Sequence, residues 1–416
     1  MIRATAVDGQ LRPWLSHAKF RADDLGCVDV TSQKSLGGSY SGLSPAGLFW
    51  SMHLAENRTN GPNIFVKKNA SPDSVSFEAE VGGRVVASEK LERLFFAPGT
   101  TTRDLKVGGE TVCETGEVGG APPEGHIARL FIPPGRGPHP IVIVLAGSGG
   151  GFDLDKAAVL SRHGFATLAL AYFGIPPLPS WLHRVPLDYF KAALAWLAAQ
   201  PEVDSGRIGV LGISRGAELA LLVASTLPQI RAVVAYAPSS TVWAAGGRDK
   251  ATGELIPTWT WRGAPVPFAP LPLRGFMLRS AVPVVLLRRP VVFRNLFRKA
   301  RRNRVEVARA AIPVDNIRGP VLLVSGGDDR VWPAAEMSEE IVSRLRQRGF
   351  TYAVEHLHYP RAGHNLRYPH LPTTSRQSRN RHLRNAKFSY GGTAVADAEA
   401  QMDSWRRAIA FLQRYL

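Results

Sequence analysis

Three short stretches of this 416-residue sequence carry residue types that together could perform acyl transfer: "GISRG" at 212–216, "GGDDR" at 326–330 and "RAGHN" at 361–365. A serine hydroxyl is a weak nucleophile at neutral pH. It must be exposed on a turn, presented to a base, and set beside donors that hold an oxyanion. A Gly-x-Ser-x-Gly turn between a buried strand and a helix meets the first need and makes Ser214 the candidate nucleophile. The helix that starts behind it offers the Arg215 N–H to developing negative charge. A second donor is expected from "VLAGSGGGFD" at 144–153, where the Ser148 N–H is favoured and Gly149 is next. That loop lacks the lysine and the spacing of a nucleotide P-loop. The acid should end a later strand. Asp329 is preferred because it directly precedes "RVWP", with Asp328 as the alternative. His364, after a glycine just past the next strand, is the candidate base, whereas His356 and His358 alternate inside that strand and read as structural.

These residues need elements to carry them. From His126 onward, continuous apolar runs alternate with amphipathic ones, as buried parallel strands alternate with crossover helices. Strands are predicted at "HIARLFI", "PIVIVLA", "ATLALAY", "RIGVLGI", "RAVVAYA", "PVLLVSG" and "YAVEHLHY". Helices are predicted near 154–163, 187–200, 215–226, 334–348 and 395–415. This order implies a doubly wound, mostly parallel α/β sheet over 121–416. The stretch at about 239–316 is too long for an ordinary loop and reads as a lid insertion over the carboxyl end of the sheet. Before Gly120, short alternating runs separated by Gly and Pro turns, such as "SVSFEAEV" and "RVVASEKLERLFF", read as a small β-sandwich over 1–120. The Gly-, Pro- and acid-rich "CETGEVGGAPPEG" reads as the linker.

The formal net charge is +17. Leu255 to Val305 contains no Asp or Glu but includes Arg262, Arg274, Arg279, Arg288, Arg289, Arg294, Arg298, Lys299, Arg301, Arg302 and Arg304. "SRQSRNRHLRNAK" at 375–387 is also acid-free, and the two segments hold nearly all of the excess. Its lack of interleaved aromatics argues against nucleic acid as a specific partner. The apolar and arginine-rich mixture around 274–302 fits either a solvated lid or peripheral contact with an anionic membrane, although Pro283 and Pro290 interrupt any single amphipathic helix. Cys27 and Cys113 form no CxxC pair and no zinc pattern. The N-terminus has no signal-like apolar core, and no later run reaches the ~18 residues of a membrane span. A cytoplasmic protein needing no metal or redox cofactor is expected.

With these residues in place, the chain resembles the family of acyl-CoA thioesterases and bile acid-CoA:amino acid N-acyltransferases. The blocks that carry the resemblance include "HAKFRADDLGCVDV", "GGSYSGLSPAGLFWSM", "GSGGGFD", "HGFATLALAYFG", "GRIGVLGISRGAELAL", "GGDDRVW", "YPRAGH" and "YGGTAVADAEAQMDSW". The resemblance implies an immunoglobulin-like β-sandwich in front of an α/β-hydrolase domain. It also implies Ser214 as nucleophile, Asp329 as acid and His364 as base, with acyl-CoA as substrate. Its transferases are expected to use cysteine and its thioesterases mostly serine, so serine favours water as acceptor. Alternatives are a carboxylesterase or dienelactone-hydrolase-like enzyme, an acyl-CoA:amino acid N-acyltransferase, or a basic binding protein with a relic site. Two departures stand out: the family's sandwich normally begins with another strand before the part matching "MIRATAVDG", so either an exposed edge or a misassigned start is expected, and both basic segments are longer than the family pattern.

Overall fold

The computed structural model describes residues 1–55, 64–67, 69–106, 109–111, 124–273, 275–276, 289–380 and 386–416. The linker around Gly120, with Cys113, and the basic residues Arg274, Arg279, Arg288, Arg381 and Arg384 lie outside the described residues.

The N-terminal region is antiparallel. Strands β1 (Ile2–Val7), β2 (Pro13–Lys19), β3 (Gly37–Gly38), β4 (His53–Leu54), β5 (Asp73–Val81) and β6 (Arg84–Arg93) form one sheet in the order β3-β2-β1-β5-β6, with β4 also on β2. The one-turn helix α1 (Gly47–Trp50) sits between β3 and β4 in the chain. The β5–β6 hairpin follows directly from "VGGR": Gly82 and Gly83 have φ of +58° and +84°, and a tight two-residue hairpin turn that needs positive φ at both positions favours glycine there. Strand β1 is flanked by β2 and β5 and leaves no edge of its own; the order ends at β3 and at the exposed β6.

The second sheet has nine strands. They are β7 (Thr101–Lys106), β8 (Gly109–Thr111), β9 (His126–Ile132), β10 (His139–Leu145), β11 (Ala166–Leu170), β13 (Val203–Ile213), β14 (Ile230–Tyr236), β17 (Val321–Gly326) and β18 (Val354–Tyr359), in the order β18-β17-β14-β13-β10-β11-β9-β7-β8. The run from β18 to β11 is parallel, and β9, β7 and β8 extend it antiparallel. The expected separation at residue 120 is therefore corrected: "TTRDLK" joins the α/β sheet rather than a sandwich. Asp104 faces Arg129 across β7 and β9 in a buried ion pair of 2.6 Å that this pairing brings together. The described strands before residue 100 lie in one antiparallel sheet, so the two packed sheets of a sandwich are not seen among the described residues.

Both faces of the parallel strands are covered, and the alternation within each strand shows how. Ile141, Ile143 and Leu145 enter one core, while Val142 and Val144 enter the other. Helices α3 (Asp188–Ala198) and α4 (Arg215–Thr226) cover the first face, together with the later α7 (Ala334–Gln347). Helix α2 (Leu154–Ser161), the C-terminal α8 (Ala394–Tyr415) and the N-terminal region cover the second. These agree with the predicted elements to within two residues in most cases.

The insertion at 239–316 carries β15 (Trp259–Trp261), β16 (Ala264–Pro265), α5 (Arg294–Ala300) and α6 (Arg304–Arg309), and β15 pairs with the short β12 (Val185–Pro186). Trp243 and Trp259 anchor it, fully buried. Some of its described arginines are matched by acids: Arg298 pairs with Glu336 and Arg301 with Glu340 on α7, and Arg309 with Glu306. The last two strands, β19 (Gln377–Asn380) and β20 (Ala386–Ser389), form a hairpin beside the site.

Candidate active site

Ser214 stands between β13 and α4 with φ +58° and ψ −121°, a left-handed conformation uncommon for a residue with a side chain. The flanking glycines make this turn possible. A Cβ on Gly212 would lie 2.1 Å from the Gly216 carbonyl oxygen, and one on Gly216 would lie 2.4 Å from the Ala146 carbonyl oxygen. The Ser214 N–H donates to Tyr236 on β14 at 2.8 Å, which ties the turn to the next strand.

His364 reaches Ser214 from the loop after β18, with Nε2 2.9 Å from the serine Oγ. Its Nδ1 is 2.7 Å from Asp329 Oδ2, and Asp329 follows the end of β17. An ionised carboxylate can only accept, so Nδ1 carries the proton and Nε2 is left to accept the Ser214 O–H. Asp329 is itself held by the N–H groups of Val331 and Trp332, at 2.8 and 3.1 Å, on its other oxygen. Asp328 points elsewhere. Its Oδ1 accepts from Arg330 at 3.2 Å and its Oδ2 from the Gly392 N–H at 3.0 Å. Three residues separated by up to 150 positions thus meet because β13, β17 and β18 end on one edge of the sheet, as carboxyl ends of parallel strands do.

The loop expected to supply a second oxyanion donor reaches the turn at its first glycine. Residues 147–150 form a tight turn after β10, closed by Gly150 N–H to Gly147 carbonyl at 3.2 Å. A Cβ on Gly147 would lie 3.5 Å from the Ser214 Cβ, which sets the start of this loop against the serine. Arg215 is the first residue of α4, where an N–H has no acceptor within the helix. His356 is bonded to Ser325 across β17 and β18, and burial lowers its pKa to about 4, which suits the structural role expected for it.

Four neighbours of the site were not legible in the sequence. The Tyr390 ring is stacked on His364 with a 4° interplanar angle, and its carbonyl accepts the His364 N–H at 2.9 Å. Trp332 meets the same imidazole edge-on and anchors its own indole N–H on Ala237. Asp397, on α8, accepts the Gly363 N–H at 2.7 Å, and burial raises its pKa to about 7. Glu218 is fully buried on α4. Arg215 Nη1 donates to both of its oxygens at 2.9 and 2.8 Å, and the Trp259 indole donates at 2.8 Å. Arg215 also reaches the carbonyls of Trp243 and Ala244, so its side chain ties the start of α4 to the insertion. The one sequence signal for this was a lone acid in the otherwise apolar "AELALLVAS".

Among the described residues no group of His, Cys, Asp and Glu is placed to hold a metal ion. What the arrangement can do is take the proton of a serine hydroxyl, through Nε2 of an imidazole held by a carboxylate.

Residues 185–416 match the family model described as BAAT / acyl-CoA thioester hydrolase C terminal, and residues 1–107 match the acyl-CoA thioester hydrolase/BAAT N-terminal region. The chain is 30% identical over 426 residues to the peroxisomal succinyl-coenzyme A thioesterase of Mus musculus, covering 100% of this chain and 90% of that protein. It is 32% identical over 429 residues to mouse acyl-coenzyme A thioesterase 1, with the same coverage of both chains. Mouse acyl-coenzyme A amino acid N-acyltransferase 1 is 30% identical over 423 residues, covering 100% and 91%.

Proposed function

The chain belongs to the acyl-CoA thioester hydrolase/BAAT family, and from that premise we infer that it hydrolyses acyl-CoA thioesters through an acyl-serine formed on Ser214. The observation that carries the site assignment is the unbroken chain from Asp329 through His364 to Ser214, with contacts of 2.7 and 2.9 Å.

In the proposed mechanism His364 takes the Ser214 proton as Oγ attacks the thioester carbonyl. Asp329 keeps the imidazole in the required tautomer and stabilises the imidazolium. The N–H groups of Arg215 and Ser148 hold the oxyanion, in a partly dry setting where such bonds count for more than in water. Collapse of the tetrahedral intermediate expels the CoA thiolate, which takes its proton from His364. A water deprotonated by the same imidazole then attacks the acyl-serine, and collapse releases the carboxylic acid and restores the serine.

The test is thiol release from acetyl- to palmitoyl-CoA by purified protein. Wild type is expected to release thiol. The Ser214→Ala variant is expected to lose at least about a thousandfold in kcat while keeping its unfolding midpoint. An alanine variant that keeps its rate would overturn the assignment. The N-acyltransferase among the relatives makes an amine acceptor the second reading. Product analysis with glycine and taurine present separates the two, since water gives the free acid and an amine gives the amide.

A further inference from the structure

A polar pocket of about 270 Å³ lies beside the histidine loop, lined by Arg330, Thr374, Ser375, Arg376, Ser389 and Gly391 among others. Its wall is shared with His364. The carbonyl of Tyr390 accepts N–H bonds from both His364 and Arg330, and the Tyr390 N–H donates to the Arg376 carbonyl at 2.8 Å. Asp329 bridges to Gly391 in the same wall. Glycine is required at that point: φ is +82°, and a Cβ there would lie 1.7 Å from the Asp328 carbonyl oxygen. The pocket therefore lies against the segments that carry His364 and Asp329.

Its chemistry is that of an anion site. Arg330 engages Asp328 through Nε, and Arg376 engages the Gly392 carbonyl through Nη1, which leaves each guanidinium with further N–H groups that have no protein acceptor among the described residues. Ser389 Oγ accepts the Gly391 N–H and keeps its own hydrogen to donate. Two carboxylates lie close by: Asp328, already bonded to Arg330 and to the Gly392 N–H with Arg294 3.7 Å away, and Asp397, which accepts the Gly363 N–H; the charged side chains in the lining itself are Arg330 and Arg376. The acid-free run at 375–387 begins here, which gives part of the chain's charge excess a location. Paired guanidiniums match phosphate oxygens in bidentate geometry, while the polar lining and small volume do not suit an acyl chain.

We propose that this pocket holds phosphate groups of the leaving CoA, with Arg330 and Arg376 as substrate-binding residues, a reading that rests on acyl-CoA hydrolysis at Ser214. The nucleotide phosphates then contribute to binding at a distance from the reacting carbonyl, and they distinguish CoA thioesters from thioesters of the bare pantetheine arm.

The experiment compares kcat/KM for one acyl group carried on CoA and on pantetheine, which has the same thioester but no nucleotide. Wild type is expected to prefer the CoA ester by about tenfold or more, the effect of one or two charge-assisted bonds. Arg376→Gln and Arg330→Gln are each expected to reduce that preference several-fold. Adenosine 3′,5′-bisphosphate is expected to compete with acyl-CoA, with a Ki that rises in both variants. A substitution that only disturbs the histidine loop lowers both substrates together and leaves the preference intact, and that result overturns the proposal, as does a wild-type preference near one. If Arg376→Gln fails to fold, Arg330→Gln gives the reading by itself. Hydrolysis of both thioesters with no preference removes the subsite and leaves the proposed function standing, whereas hydrolysis of neither removes both.

Discussion

Asp328 and Asp329 are chemically identical neighbours whose surroundings assign them different work. Asp329 is buried, accepts two backbone N–H groups and faces His364, while Asp328 faces Arg330, Arg294 and the Gly392 N–H. Asp329→Asn is expected to lower kcat about 10⁴-fold, because an amide in that place supports the wrong imidazole tautomer. Asp328→Asn is expected to cost far less. The two rates, measured side by side on one acyl-CoA, decide between them. Asp397 is a third carboxyl near the same loop, raised from 3.8 to about 7 by burial, with Asp328 and Asp329 pushing the same way and Arg376 opposing. The folded state therefore holds its proton more tightly than the unfolded chain. Stability from this group is present below pH 3.8 and is lost as pH rises to about 7. Asp397→Asn, which keeps an oxygen for the Gly363 N–H, is expected to flatten that part of the stability profile and to be the more stable protein above about pH 7. Urea midpoints across the range check this, and a profile unchanged by the substitution would count against it.

At the scale of elements, two ties place the site. The first joins β7 to β9 through Asp104 and Arg129, a pair in which both side chains are almost completely buried. Removing Asp104 takes away the carboxylate that both Nε and Nη2 of the buried Arg129 bond, so Asp104→Ala is expected to destabilise by about 3–5 kcal/mol in urea unfolding. A loss below about 1 kcal/mol would mean that water reaches the vacated position. The second tie is Arg215 with Glu218. Burial pushes the Glu218 carboxyl up and Arg215 opposes this, while the same guanidinium reaches the insertion at Trp243 and Ala244. The residue expected to supply an oxyanion N–H from its backbone is thus also the residue whose side chain sets where the insertion begins.

For the whole molecule, the N-terminal region and the α/β region share one core. Trp14, Phe65 and Phe95 belong to the same buried cluster as Tyr368, Trp405 and Leu412. The histidine loop is bound into this seam: Arg367 donates to the Phe65 carbonyl and to Asp155 on α2, and Tyr368 donates to the same carboxylate. Thr373 and Thr374 reach the carbonyls of Trp50 and Met52. One cooperative unfolding transition is therefore expected, with tryptophan fluorescence and loss of activity coinciding; two resolved transitions would show that the halves fold independently. No helix among the described residues is long and apolar enough to cross a membrane. Most of the α/β architecture was legible in the order of apolar runs, because parallel strands buried on both faces must be continuously apolar and their crossover helices amphipathic. Ser214, Asp329 and His364 were legible for a related reason: each follows a strand end, and glycine spacing marks the sharp turn the serine requires. What only the tertiary structure decided depends on pairing across the chain, namely the transfer of β7 and β8 to the α/β sheet, which of two adjacent aspartates lies against His364, and the burial of Glu218. Periodicity reports which face of an element is apolar, but the partner that neutralises a buried charge lies on another element and is settled only when the two are packed together.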